Sequence, residues 1–274
     1  MMHPELQRKK ERLERYIASQ GSMLVAFSGG VDSTLLAVCA RKILGDRAVC
    51  VLLESALLSR RAIARASGIA RELHLNFEIL HVPVMEDAAF VRNQPDRCYR
   101  CRKISAVHLK ERARELGLSS VADGVNFSDL GEYRPGIAAA TEVGIIHPFV
   151  QAGMTKEDIR ALAREIGLSV WNEPASPCLA SRIPYGDALT EEGLRKVEDA
   201  EQILSDLGFV QFRVRQHGKL ARIEVSDEEL GRAIASRALL VERLKKLGFI
   251  YVTLDLGGYR SGSMDEALIA ENDL

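Results

Sequence analysis

The chain has 274 residues, 47% of them hydrophobic and 27% charged, enough for one large domain or two ordinary ones with a real core. Its 37 Lys and Arg against 38 Asp and Glu leave a net charge of −1, without the basic surplus of a protein that grips a long nucleic acid. No apolar run reaches the length of a membrane span, and the first twenty residues, rich in Lys, Arg and Glu, do not form a signal peptide, so a cytoplasmic protein is expected.

Residues 1–20 set Leu6, Leu13 and Ile17 at helical spacing, the apolar stripe of a surface helix. Residues 23–27, Met-Leu-Val-Ala-Phe, suit a strand buried on both faces, and a helical pattern begins at Leu35-Leu36-Ala37-Val38. Between them lies Ser28-Gly29-Gly30-Val31-Asp32-Ser33-Thr34. A strand that turns through Ser-Gly-Gly into a helix aims several backbone N–H groups at one spot, at the positive end of the helix dipole. Two adjacent glycines admit an anion without a Cβ in the way. Ser28, Ser33 and Thr34 add hydroxyl donors, and Asp32 is placed to hold a magnesium ion or to cap the helix. The segment reads as a phosphate cradle. It is not a Walker A loop, because no Gly-Lys-Ser/Thr follows.

Strand and helix then alternate as in a parallel sheet. Residues 48–53 form a second apolar strand, 60–73 a helix with Ile63, Ala66, Ile69, Ala70 and Leu73 as its apolar positions, and 77–80 a third strand. A polar loop over 86–100 leads to a helix over 103–116. Val121-Ala122 is a short fourth strand. Asp123-Gly124-Val125-Asn126 follows at its carboxyl end, on the same sheet edge as the phosphate cradle. Residues 144–147 read as a fifth strand, and Thr155 caps a helix that runs to Ile166. Residues 174–189 hold three prolines and little periodicity, as a connecting loop does. Beyond it come a helix over 191–207, a hairpin of 211–216 and 220–225, a helix over 228–247 and a strand over 249–255. The pattern predicts an α/β domain over 1–180 and a small α+β domain with an antiparallel sheet over 181–274, ending in a loosely held tail from 257.

The five cysteines are of two kinds. Cys39, on the apolar side of the helix after the phosphate cradle, and Cys50, in the second strand, read as small buried hydrophobes. Cys98-Tyr99-Arg100-Cys101 stands in an arginine-rich polar loop and Cys178 in the connecting loop, neither placed as core. In a cytoplasmic protein a CxxC points to metal, cluster or redox chemistry more than to a structural disulfide. Three thiolates fall short of the four ligands of structural zinc, although His108 or His147 would complete the count. A cubane iron–sulfur cluster takes three cysteines and leaves one iron open. Arg97, Arg100, Arg102 and Lys103 favour thiolates and a negatively charged cluster.

SGGVDST, residues 28–34, resembles the PP-loop of the ATP pyrophosphatase superfamily, which includes NAD, GMP and asparagine synthetases. Asp123-Gly124-Val125-Asn126 resembles the DGTN element of its NAD synthetase-like members, with Val125 in place of Thr. The resemblance implies ATP cleaved between its α- and β-phosphates, with the acceptor adenylated. It implies that Ser28, Gly29, Gly30, Val31, Asp32, Ser33, Asp123 and Asn126 bind ATP and that Asp32 holds Mg2+.

Four further segments resemble those of one branch of that superfamily: the RCYRCRK segment at 97–103, Arg134-Pro135-Gly136 after the DGVN element, SPCLASRIPYG at 176–186 and FRVRQHG at 212–218. Together they are similar to the LarE family, the sulfur transferases of nickel-pincer nucleotide cofactor biosynthesis, over residues 20–255. That resemblance implies a parallel-sheet PP-loop ATP pyrophosphatase (adenine nucleotide α-hydrolase-like) domain with a small C-terminal domain. It also implies conversion of the two carboxylates of pyridinium biscarboxylic acid mononucleotide to thiocarboxylates, and a homo-oligomer. In one variant of the family the cysteine of the CLASR loop gives up its own sulfur; in the other that cysteine and a CxxC hold a [4Fe–4S] cluster. Cys98, Cys101 and Cys178 together imply the cluster variant. Arg213 and Arg215, alternate residues of one strand, share a face that suits the substrate phosphate, with Glu201, Arg134 and Arg182 as further substrate partners. The sulfide donor is not indicated. A PP-loop tRNA thiolation enzyme and a nucleotide- or metal-sensing module are the alternative readings, the first disfavoured by the near-neutral charge.

Overall fold

In the computed structural model, which describes residues 3–131, 134–173 and 178–260, the apolar runs form the expected parallel sheet. In chain order the elements are α1 (Pro4–Ser19), β1 (Met23–Ala26), α2 (Val31–Leu44), β2 (Ala48–Glu54), α3 (Arg60–Glu72), β3 (Phe77–His81), α4 (Ala88–Val91), α5 (Arg97–Glu115), β4 (Ser120–Ala122), α6 (Pro135–Glu142), α7 (Pro148–Ala152) and α8 (Lys156–Glu165). The strands lie in the order β3-β2-β1-β4, all parallel.

Both faces of the sheet are covered, which is why β1 and β2 are continuous apolar runs rather than alternating ones. Met23 and Val25 pack into one layer with Leu13, Ile17, Leu35, Phe149 and Ile159. Leu24 points the other way, into a layer with Val51, Leu109, Ala140 and Ile145. β1 is followed by a crossover to β2 on one side, and the chain returns to β4 on the other, so β1 and β4 meet where the winding reverses. The carboxyl ends of two such neighbouring strands diverge to open a crevice.

Two expectations are corrected here. Residues 144–147 do not form a fifth strand; only a single parallel bridge joins Ile146 to Ala122. Gly144, at φ 84°, turns the chain just before this segment, and Pro148 opens α7 just after it, leaving no length for a ladder. The polar stretch over 86–100 is largely helical. Asp87 caps α4 through the Phe90 N–H at 2.6 Å, and α5 begins at Arg97, not at 103. Its first turns carry charged side chains in place of an apolar stripe, with Arg97 buried and most of the others half-buried, and Asp96 pairs with Arg100 four residues on at 2.7 Å.

Contacts divide the chain into two compact units, Met1–Val84 with Asp96–Ser176, and Met85–Pro95 with Pro177–Leu274. The excursion of 85–95 into the second unit is absent from a linear division at residue 180. Asn93 anchors it: buried and left-handed at φ 55°, its amide donates to the carbonyls of Pro184 at 2.7 Å and Asp187 at 3.0 Å.

The second unit continues with α9 (Glu191–Asp206), β5 (Phe212–His217), β6 (Leu220–Val225), α10 (Leu230–Ala235), α11 (Arg237–Lys246) and β7 (Tyr251–Leu254). β5 and β6 form the expected antiparallel hairpin, but β7 pairs with β6 in parallel, so the sheet is mixed. The chain crosses back over α10 and α11 before β7, and a helical crossover delivers the next strand in parallel. Those helices are the single helix expected over 228–247, broken at Ser236. Leu204, Phe209, Val214, Ile223 and Leu244 form the core of this unit. Most of the tail expected from 257 lies outside the described residues; within them the Tyr259 N–H donates to the Val225 carbonyl at 2.8 Å. Among the described residues no helix is long and apolar enough to cross a membrane.

Candidate active site

The turn from β1 into α2 has the geometry its glycines suggested. Gly29 takes φ 72°, and a Cβ there would lie 2.9 Å from the Cα of Ala66 on α3. Gly30 is the N-cap of α2 and offers no side-chain acceptor, so Asp32 sits in the first turn and does not cap the helix. The leading N–H groups of a helix have no intrahelical partner and remain available to an anion. Ser33 Oγ accepts the Ser28 N–H at 3.1 Å, meets Ser28 Oγ at 3.1 Å and donates to the Gly30 carbonyl at 3.2 Å, which locks the loop. Thr34 is wholly buried and its hydroxyl has no partner among the described residues, so it adds no donor to the cradle. We expect Gly29→Ala to cost about 1–3 kcal/mol, from left-handed strain and the collision with the Ala66 backbone. Urea unfolding measures this, and ATP titration should show weakened binding; a variant that matches the parent in both would contradict the geometry.

Asp123-Gly124-Val125-Asn126 emerges from β4 against the first turn of α2. A Cβ on Gly124 would lie 3.0 Å from Asp32 Cβ and 3.0 Å from the Ser33 nitrogen, so the two segments touch. Asn126 Nδ2 donates to Asp32 Oδ1 at 3.3 Å, and the other carboxylate oxygen of Asp32 pairs with Lys156. Asp123 is buried; its carboxylate pairs with Arg102 and accepts from His147 Nδ1 at 2.7 Å and from the Val125 N–H at 3.1 Å. Burial alone would raise this carboxyl, but the His147 hydrogen bond and the Arg102 charge hold it below the usual carboxylate range. Val125, the departure from the family pattern, contributes a backbone N–H to this network.

Cys98 and Cys101 are not in a loop but three residues apart on the first turns of α5, and so on one face. Cys98 is exposed and Cys101 half-buried. Gly136, at the start of α6, lies over this turn: a Cβ there would come 3.5 Å from the Arg102 side chain and 3.8 Å from the Cys98 carbonyl. Arg134 pairs with Asp129 at 2.7 Å. Cys39 and Cys50 are buried as read, and burial pushes each thiol up to about 12. Among the described residues, no three His, Cys, Asp or Glu side chains gather to hold a metal.

In the second unit Cys178 is exposed and precedes a short helical turn, Leu179–Arg182. Arg182 grips Glu201 with two hydrogen bonds, 2.8 and 3.1 Å, and Glu201 also accepts the Val214 N–H at 3.1 Å. Arg213 and Arg215 alternate on β5, but their surroundings differ. Arg215 is buried and bound twice by the fully buried Glu224, at 3.0 and 2.8 Å. Arg213 stacks on Tyr259, and burial followed by the neighbouring Arg182 lowers its guanidinium pKa. Arg222 joins Glu224 at 3.1 Å and Asp255 at 3.5 Å. Arg182, Arg215 and Arg222 are thus each paired with a carboxylate, whereas Arg213 lies against the Tyr259 ring.

Three residues of the first-unit site were not singled out for it from the sequence: Arg102, His147 and Lys156. Each had a local signal. Arg102 follows the CxxC directly, His147 stands at the carboxyl end of the segment after Gly144, and Lys156 opens a capped helix. What no local signal carried is that all three turn toward the PP-loop and the DGVN element.

The sequence profile of the NAD synthase family matches residues 5–128. Over 261 residues the chain is 38% identical to the pyridinium-3,5-bisthiocarboxylic acid mononucleotide synthase of Lactiplantibacillus plantarum, covering 95% of each protein. An uncharacterized protein of Synechocystis is 38% identical over 96% of this chain and 99% of its own length. One from Methanocaldococcus jannaschii is 30% identical over 87% and 91%.

Proposed function

The chain belongs to the LarE family of PP-loop proteins, and we propose that it uses ATP to convert the carboxylates of pyridinium biscarboxylic acid mononucleotide to thiocarboxylates for a nickel-pincer cofactor. The observation that carries this reading is the meeting of the PP-loop and the DGVN element about Asp32, at the carboxyl ends of β1 and β4. A carboxylate is a poor acyl donor, so it must first attack the α-phosphorus of ATP, releasing pyrophosphate and forming an acyl-adenylate. The N–H groups at the start of α2 stabilise the charge that develops on pyrophosphate. Asp32 would hold Mg2+, which supplies charge neutralisation at the phosphates. Asp123, kept ionised, orients Arg102 and His147 at the rim of the same crevice.

In the second step a sulfur nucleophile attacks the acyl carbon and AMP departs. Cys98, Cys101 and Cys178 would hold a [4Fe–4S] cluster; two exposed or half-buried thiols on one helix face suit two of its ligands. When bound, such a cluster supplies a sulfur nucleophile that needs no strong general base. In the sacrificial alternative Cys178 forms the thioester through its own Sγ, then loses the Cβ–Sγ bond and its Cα proton and is left as dehydroalanine.

Arg213 is the residue we assign to the substrate phosphate, with Arg182 and Glu201 setting its position and Arg134 a further candidate. Arg215 is committed to Glu224, so its replacement would take two hydrogen bonds from a fully buried carboxylate and leave Arg222 to balance its charge. The test is pyrophosphate release from MgATP with the mononucleotide present, together with mass spectrometry of the product. Release that depends on the mononucleotide and yields the thiocarboxylate is expected. Release driven by tRNA, or ATP binding without cleavage under any condition, would overturn the reading in favour of a tRNA thiolase or a sensing module. In the same assay Arg213→Ala should weaken the mononucleotide about 10- to 100-fold, the worth of a charge-assisted hydrogen bond, while the KM for ATP stays unchanged.

A further inference from the structure

Tyr259 follows β7 through a turn that fixes its place. The Gly257 N–H donates to Asp255 Oδ1 at 2.8 Å, and Gly258 is left-handed at φ 66°. A Cβ on Gly258 would lie 2.7 Å from Asp227 Oδ1 and 3.3 Å from the Val225 carbonyl oxygen, so glycine is what brings the chain this close to the end of β6. The Tyr259 N–H then donates to that same carbonyl at 2.8 Å. Its half-buried side chain reaches β5, where the Arg213 guanidinium lies 5.0 Å from the ring centroid and donates to the hydroxyl at 3.4 Å. Arg182, paired with Glu201, acts on the charge of Arg213 and donates to the Cys178 carbonyl at 3.2 Å. The ring, the guanidinium assigned to phosphate and the loop that carries Cys178 therefore belong to one cluster of the second unit.

We propose that Tyr259 is a specificity-determining residue: its ring receives the pyridinium of the mononucleotide when the substrate phosphate draws Arg213 off it. The inference rests on the mononucleotide as substrate and on Arg213 as its phosphate partner. A guanidinium and a pyridinium are both planar cations, and the face of a phenol ring attracts either one. The pyridinium nitrogen is bonded to ribose and has no N–H, so the ring itself is recognised through its face and its charge. A phosphate holds a guanidinium by paired charge-assisted hydrogen bonds, more strongly than an aromatic face does. The exchange therefore runs toward phosphate on Arg213 and pyridinium on Tyr259.

Calorimetric titration of the full chain provides the test, on wild type, Tyr259→Phe and Tyr259→Leu. The magnesium complex of α,β-methylene ATP, which cannot be cleaved between its α- and β-phosphates, is present to fill the nucleotide site. The titrants are nicotinic acid mononucleotide, its reduced dihydropyridine form and ribose 5-phosphate. The first two differ in the charge of the ring, and the third has no ring. Wild type should bind the pyridinium form about 5- to 30-fold more tightly than the reduced form. Tyr259→Phe should keep that preference and Tyr259→Leu should abolish it, with ribose 5-phosphate bound equally by all three proteins. No preference in wild type, or a preference that Tyr259→Leu leaves intact, would overturn the proposal while Arg213 keeps its phosphate. Equal losses of ribose 5-phosphate and nicotinic acid mononucleotide in Tyr259→Leu would overturn it too, reducing Tyr259 to a support for Arg213. Failure of the wild type to bind any of the three would overturn both readings.

Discussion

Asp32→Ala should lower pyrophosphate release by on the order of a thousandfold without unfolding the protein. Asp32 is the carboxylate on which Asn126 and Lys156 converge, in the first turn of α2, where the proposed mechanism sets the phosphates. The substitution orphans no buried charge, because the Lys156 side chain is 34% exposed and water can replace the lost partner. Removal of Asp123 would be the opposite case. That group is buried against Arg102 and His147, and its loss would couple any kinetic defect to destabilisation. A phosphate-coupled assay beside a thermal melt separates the two effects. Asp32→Ala with parental pyrophosphate release would remove the PP-loop from the chemistry.

Cys178→Ala should abolish thiocarboxylate formation altogether while pyrophosphate release continues, because the proposed mechanism uses Cys178 in sulfur transfer and not in adenylation. Cys98→Ala and Cys101→Ala divide the two sulfur routes. If the three thiols hold a cluster, anaerobic reconstitution gives about four irons per chain, any one of the three changes loses it, and Cys178 survives turnover intact. If Cys178 is sacrificed, its mass falls by that of hydrogen sulfide after one turnover and neither iron nor the CxxC is required. Cys39→Ala and Cys50→Ala serve as controls. Both thiols are buried and pushed up to about 12, so they remain protonated and should affect neither outcome. Stoichiometric zinc without sulfur transfer would contradict both routes.

The sheet was legible in the sequence wherever burial was uniform. The runs over 23–26 and 48–53 are apolar throughout because both faces are covered, and no helix-period pattern competes with them. The capped start of α8 was equally clear, since Thr155 and Asp158 lie within four residues of each other. The polar start of α5 reads as a loop because its charged side chains, the buried Arg97 among them, leave no apolar stripe to mark a helix, although arginine and lysine are good helix formers. The parallel setting of β7 followed from the path of α10 and α11, which strand pattern alone does not encode.

By itself the sequence determined the phosphate turn. Gly29 needs no distant partner to take φ 72°, and Ser28, Gly30 and Ser33 close the loop among themselves. Only the tertiary structure decided which charges meet that turn. Lys156 reaches Asp32, Arg102 and His147 close on Asp123, and Arg215 is withdrawn onto Glu224. The separations along the chain carry no pattern of their own. Arg215 meets Glu224 across the hairpin of β5 and β6, whereas the pairs on Asp32 and Asp123 arise because covering two faces of a sheet brings distant parts of the chain to the same strand ends. There the ionised groups that remain in partial burial must find one another or pay the cost of desolvation alone.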